Sequence, residues 1–259
     1  MIITVTSNKG GVCKTSVATT LAHGIALTGR TVRIADLDRN GHCAACFGLP
    51  ATQGAFDYFV NHAAVASVLR PTRYDRCALL PGNNRTVSAE TVLRDEQTIA
   101  GIQPRLQELA SGIDVLIFDT HNGGWLQEAA TVAADLVITP VLLEELALQS
   151  HEQTVKMIRA VNPTATLRML PMRYDARVTD HAVQWNEIKT RWPAETLNCI
   201  PARNAVNDAV AAGQTIWEYK HASLKPVREA YQFFIQWIVE GSAPPRAGAL
   251  KEGQQNGSH

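Results

Sequence analysis

Residues 2–16 read Ile2-Ile3-Thr4-Val5-Thr6-Ser7-Asn8-Lys9-Gly10-Gly11-Val12-Cys13-Lys14-Thr15-Ser16. A short β-rich apolar run enters a glycine pair, and a Lys-Thr-Ser step then opens Lys14–Thr28, whose apolar residues recur at helical spacing. Strand, tight loop and helix in that order form the context a phosphate-binding loop requires. Glycines let backbone N–H groups turn inward around an anion, and the helix that follows presents its positive end there. Lys14 brings a fixed charge to the β- and γ-phosphates, and the Thr15 hydroxyl is placed for Mg²⁺. Gly10, Gly11, Val12, Cys13 and Ser16 complete the cradle.

Working outward, short apolar runs alternate with helical-period segments, the pattern of βα units feeding a mostly parallel sheet. The spacing predicts strands at Ile2–Thr6, Thr31–Asp36, Arg76–Leu80, Asp114–Asp119, Leu136–Val141, Thr166–Met172 and Thr196–Pro201. It predicts helices at Lys14–Thr28, Ala100–Ala110, Leu126–Ala134, Leu146–Val161, Thr179–Arg191, Asn204–Ala212 and Pro226–Val239, with Gly29 and Gly112 as stops. The expected fold is a three-layer α/β P-loop NTPase fold, a twisted mostly parallel sheet with helices on both faces. Residues 1–240 are expected to form one domain, and the Gly- and Pro-rich 241–259 a flexible polar tail.

Acids close two of the strands. Asp36-Leu37-Asp38 ends the second, and Asp119 ends Val115-Leu116-Ile117-Phe118, so both project carboxylates at strand C-termini, where open α/β sheets bind ligands. Five cysteines, an odd number, exclude a disulfide framework, and the Cys43–Cys46 pair lacks the second pair a zinc site needs, so packing is the expected role of these residues. No apolar run approaches a membrane span and no basic-then-apolar leader opens the chain, which points to the cytoplasm. Formal net charge is zero, yet Lys156 to Arg228 holds eleven basic against six acidic residues, enough for a phosphate-facing surface.

The loop departs from the ordinary P-loop formula, which would place glycine where Asn8 and Cys13 stand. It fits a Lys-Gly-Gly-x-x-Lys-Thr pattern with the additional Lys9, and so resembles the deviant Walker A motif of the ParA/MinD superfamily of ATPases, most of all the ParA-type partition proteins. That resemblance implies ATP and Mg²⁺ as cofactors and a nucleotide-sandwich homodimer in which Lys9 reaches the partner's nucleotide. It implies Asp119 as the Walker B aspartate, Asp36 near the metal with Thr15, and Asp38 orienting the attacking water. Arg39-Asn40 and Thr120-His121-Asn122-Gly123 depart from the family's usual residues after these acids, which bears on hydrolysis rate and not on binding.

Pro140-Val141, Tyr174-Asp175-Ala176-Arg177, Ile200-Pro201 and Glu218-Tyr219 extend the likeness over residues 1–240, with Pro201 in the segment that flanks the adenine. The family implies nonspecific DNA binding, here by Arg177, Arg203, Lys220 or Lys225, nucleoid association, and a ParB-like adaptor that stimulates slow hydrolysis. Alternatives keep the ATPase but move a carboxysome or chemoreceptor cluster, tether it to a membrane as MinD-like proteins do, or make it an ATP-dependent small-molecule synthetase. The aromatic segment Lys225–Val239 is read as a final core-packing helix.

Overall fold

A computed structural model describes residues 1–50, 52–96 and 98–241, with the backbone alone for 145–149. The expected tail beyond Gly241 lies outside the described residues. In chain order the elements are β1 (Ile2–Val5), α1 (Lys14–Ala26), β2 (Val32–Leu37), α2 (His42–Cys46), α3 (Ala55–Phe59), α4 (Val65–Val68), β3 (Arg70–Pro71), β4 (Cys77–Leu80), α5 (Thr86–Glu96), α6 (Ile99–Ala110), β5 (Val115–Thr120), α7 (Trp125–Val132), β6 (Leu136–Leu142), α8 (Glu145–Val161), β7 (Thr166–Met172), α9 (Thr179–Arg191), α10 (Ala205–Ala211) and α11 (Lys225–Glu240), with a 3₁₀ turn at Ala222–Leu224 before the last.

The strands pair in the order β3-β4-β2-β5-β1-β6-β7, parallel throughout except for the antiparallel β3 edge. The central strands β1, β2, β5 and β6 read as nearly unbroken apolar runs because both of their faces are covered. Alternate side chains feed opposite cores. Ile3, Val5, Ile34 and Ile117 pack with α1 and α11, whereas Ile2, Ala35, Leu116 and Phe118 pack with α3, α5, α6 and α7. A third cluster joins Val137, Val141, Leu167 and Met169 to Ile158 of α8 and Ile188 of α9. Helix α11 buries Val227, Tyr231, Phe234, Ile235 and Ile238, the core-packing role expected of it. Among the described residues no helix is long and apolar enough to cross a membrane.

Six of the seven expected strands form. Thr196–Pro201 does not: it makes only isolated bridges, Thr196 with Met169 and Pro201 with Tyr174. Pro171 in β7 has no N–H to offer the neighbouring chain, so the ladder that Leu197 begins with Met169 cannot continue. Helix α5 is not anticipated by the periodicity, since beyond Thr86 its buried stripe amounts to Ala89 and Leu93.

Helix α1 is buried nearly all round, polar positions included. His23 stacks on Tyr74 at 3.6 Å and its Nδ1 shares a 2.6 Å hydrogen bond with the Thr215 hydroxyl. On α8, His151 lies edge-on to Trp192 and its Nε2 has no partner. Burial pushes both imidazoles from 6.5 down to about 4. A buried neutral histidine with a depressed value stabilises the fold fully above 6.5 and loses that stability as pH falls toward 4, because only the unfolded chain binds the proton in that window. Acidification from pH 7 to about pH 5 should therefore cost on the order of 2 kcal/mol per histidine. His151→Leu removes one titration, and thermal melts across this range should show the variant gaining about 2 kcal/mol relative to the unmodified protein as pH falls from 7 to 5. Equal slopes for the two proteins would mean that His151 is not held neutral.

Candidate functional site

The loop between β1 and α1 turns at Gly11, with φ +74°, and again at Cys13, with φ +71°. The left-handed region suits glycine and strains a residue with a Cβ by about 1–2 kcal/mol. Cys13 holds it because its carbonyl accepts the Val17 N–H that starts the helix and its side chain packs against the α1–α11 core. Although the motif tolerates variation at this position, its backbone is the one a glycine would choose. Side chains from α7 and α8 brace the loop: Gln127 Nε2 donates to Thr6 Oγ1 at 2.6 Å and to Asn8 Oδ1 at 3.3 Å, and the Asn8 N–H donates to Thr154 Oγ1.

The two loop lysines occupy different environments. Lys14 is 8% exposed, and its Nζ donates to the Lys9 carbonyl at 3.3 Å. Burial lowers its pKa, against the pull of Asp119 and Asp38. Lys9 stands at the rim with its Nζ 2.9 Å from Glu144 Oε2. An exposed pair of this kind contributes at most about 1 kcal/mol and exchanges readily.

Register brings the acids together. Adjacent parallel strands β2 and β5 pair Asp36 directly with Asp119, both fully buried, and Asp119 pairs with Val5 just before the loop. Asp36 Oδ1 accepts the Asp38 N–H and Oδ2 the Cys43 N–H, each at 3.0 Å. Asp119 Oδ2 accepts the Cys43 thiol at 3.3 Å, while its Oδ1, also buried, has no hydrogen-bond partner. Burial raises Asp36 well above the carboxylate range, and the facing Asp119 raises it further. Asp119 is pushed up to about 6 by burial, opposed by the nearby Thr15 hydroxyl, the Cys43 thiol and the Lys14 ammonium. Two facing buried carboxylates ionise together only beside a cation. The orphaned Asp119 oxygen and the adjacent Thr15 hydroxyl fit Mg²⁺, which takes oxygen donors and keeps water in its shell. Asp38 lies at the edge of this pair, its Oδ1 accepting the N–H and side-chain amide of Asn40 at 2.9 Å.

Of the other expected residues, Pro201 shares a cavity wall with Cys13 and Ser16, which places the Ile-Pro segment beside the loop. Arg177 and Arg203 line an adjoining cleft of about 760 Å³ together with Asp175 and Asp208, a mixed lining and not a basic groove. Arg177 is held by both oxygens of Asp175, at 3.0 and 2.7 Å, and Lys225 stands 3.9 Å from Glu229. Arg203 and Lys220 form no ion pair among the described residues. Between Lys156 and Arg228, Arg159 and Arg191 are likewise paired, with Glu195 and Glu187, acids of the same segment, so the net basic surplus stays as the sequence counts it.

Four participants escape sequence reasoning. Cys43 was expected only to pack, yet its thiol enters the acidic pair. Glu144 and Gln127 come from distant segments. Gly82 was the most legible of the four, since it follows a strand in a Pro-Gly turn; a Cβ there would sit 2.5 Å from the Asp38 carbonyl and 2.9 Å from Asp36 Oδ1.

A buried ammonium set beside two buried carboxylates, at the start of a helix and the end of central parallel strands, balances its charge when a polyphosphate and its cation join it. The class so defined is the P-loop nucleotide-binding proteins. A family model described as an AAA domain matches residues 1–170. The chain belongs to the ParA/MinD-type P-loop ATPase family. Among its relatives, Protein IncC of Escherichia coli is 29% identical over 90% of this chain and 68% of its own length. The sporulation initiation inhibitor protein Soj of Bacillus subtilis is 27% identical over 62% of this chain and 65% of its own, so the matches span about two thirds of each relative. Two solved structures share the fold: an ATP complex of McdA from Cyanothece (18% identity, TM-score 0.77, 89% of this chain and 95% of that one) and Mg-ADP-bound MinD from Pyrococcus horikoshii (18%, 0.76, 92% and 95%).

Gly82→Ala tests the cradle around the acids. The added methyl must displace the Asp36–Asp38 backbone, and overpacking of this kind costs about 1–3 kcal/mol. A lower melting temperature together with weaker Mg²⁺-dependent nucleotide binding is the expected result; unchanged binding would show that the Asp36–Asp38 turn is free to move.

Proposed function

We propose that this chain is an ATP- and Mg²⁺-dependent ParA-like partition ATPase that closes into a homodimer around two nucleotides, rides nonspecific DNA, and releases it when a ParB-like adaptor stimulates hydrolysis. The observation that carries this reading is the division of labour between the lysines. Lys14 already supplies the buried charge inside the loop, which leaves Lys9, outward at the rim on a weak pair with Glu144, available to a second subunit.

Lys14, Thr15 and the N–H groups of residues 10–16 bind and orient the phosphates. Thr15, Asp36 and Asp119 would hold Mg²⁺, which neutralises charge on the β- and γ-oxygens when bound. Asp38, at the edge of that pair, orients the water that attacks the γ-phosphate and gives ADP and phosphate. Pro201 and its neighbours flank the base. McdA and MinD of the same fold carry ATP and Mg-ADP in their structures, which supports the cofactors proposed here. Affinity for DNA then depends on the bound nucleotide because only the ATP dimer presents two binding faces at once. Arg203 and Lys220 are the stronger phosphate contacts, since Arg177 must leave Asp175 and Lys225 must leave Glu229 to take part.

Lys9→Ala should retain ATP binding within a few-fold and lose ATP-dependent dimerisation, measured by light scattering with a slowly hydrolysed analogue. Arg203→Ala with Lys220→Ala should weaken ATP-dependent binding to random-sequence DNA and flatten its salt dependence. An unmodified protein that stays monomeric with ATP, or turns ATP over only with a small organic substrate and ignores DNA, would sink the reading.

A further inference from the structure

The thiol of Cys43 is not needed by the chemistry above, yet it points into the centre of the site. Cys43 lies in the first turn of α2, seven residues beyond Asp36. The Cys43 sulfur, an Asp36 oxygen and an Asp119 oxygen all lie within 4.8 Å of one another, and all three residues are buried. One buried acceptor in the group, Asp119 Oδ1, has no partner. A magnesium pocket has no use for sulfur, because hard cations take oxygen donors. One thiolate with two carboxylates is instead a donor set for a borderline-soft divalent cation of the zinc class.

We propose that Asp36, Cys43 and Asp119 form a second-metal site in which Zn²⁺ displaces Mg²⁺ and halts the cycle. Metal–sulfur and metal–oxygen lengths of about 2.3 and 2.1 Å at a tetrahedral angle set sulfur and oxygen roughly 3.6 Å apart. Cys43 Sγ and Asp119 Oδ2 already stand 3.3 Å apart. Binding replaces the S–H bond with a sulfur–metal bond and the proton leaves to solvent, so at least one proton is released per ion. Asp36 and Asp119 supply one oxygen each, and the fourth position is left to water. For such a site affinity rises along the first-row series, so a trace of zinc competes with abundant magnesium. Metal binding stands without the partition reading, whereas its inhibitory effect rests on that reading.

Co²⁺ is the probe, added to the nucleotide-free full chain while the thiolate-to-cobalt charge-transfer absorption is followed; displacement by Zn²⁺ then gives the zinc affinity. Unmodified protein and Cys46→Ala should show the band, with at least one proton released per ion, and a Mg²⁺–ATP analogue should shift the titration to higher Co²⁺. Cys43→Ala should lose the band and bind Zn²⁺ at least about 100-fold more weakly. Cys43→Ser keeps the side-chain size and should also lose the band, which guards against a folding defect in the alanine variant. No band in the unmodified chain, a band that survives Cys43→Ala, or one abolished by Cys46→Ala overturns the proposal. Co²⁺ bound through Cys43 in a protein with no ATP-dependent dimer would retain the metal site and discard the partition reading, and the reverse pattern would do the opposite.

Discussion

Asp36 and Asp119 face each other across two central strands, fully buried and with one ammonium close by. Like charges so placed raise each other's proton affinity, and burial raises both further. The rest of the site answers this constraint. Backbone N–H groups of Asp38 and Cys43 are directed at Asp36, the Cys43 thiol and Thr15 hydroxyl lie against Asp119, and Lys14 is buried beside them at some cost to its own charge. The fold thus keeps a concentrated, partly uncompensated charge arrangement that a polyphosphate and a divalent cation complete, the form of preorganisation that phosphoryl transfer exploits.

Holding such a site requires a rigid frame, and α1 supplies much of it. Its N-terminus forms the loop's far wall, and its body is gripped by the sheet, by α11 and by the 214–219 segment, where Trp217 Nε1 donates to the Thr20 carbonyl at 2.8 Å. Gly24 shows how closely α11 approaches: a Cβ there would stand 2.3 Å from Ile235 Cδ1. The strained Cys13 backbone persists because this packing over-determines the helix start. Tyr74, His23, Thr215 and Glu218 extend the same frame as a polar network that runs from the core to the surface, with the half-exposed Glu218 accepting from Tyr74 and Arg73.

The outer surface follows a different logic. Along α8, α9 and α11 basic residues are mostly answered by acids one helical turn away or on the neighbouring element, as with Lys156–Glu152 and Arg191–Glu187. Pairs this exposed screen one another with little net stabilisation. Pairing leaves the net surplus unchanged but fixes which side chains are free to turn toward a polyanion, and Arg203 and Lys220, in no ion pair among the described residues, are two of these.

The phosphate loop, the acids at two strand ends and the parallel βα order were legible in the chain by itself, because each is written in local chemistry: glycine permissiveness, apolar runs of strand length, and a charge placed where a strand stops. Tertiary structure decided what depends on register and on distant contacts. Asp36 meets Asp119 because β2 and β5 align at those residues; Cys43 becomes a partner of both only once α2 folds back over the sheet; Glu144 meets Lys9 across 135 positions. Thr196–Pro201 carries a strand's composition and yet fails to form one, since the missing N–H belongs to Pro171 on its neighbour. Local propensity sets which groups are present, and pairing between remote segments sets which of them touch.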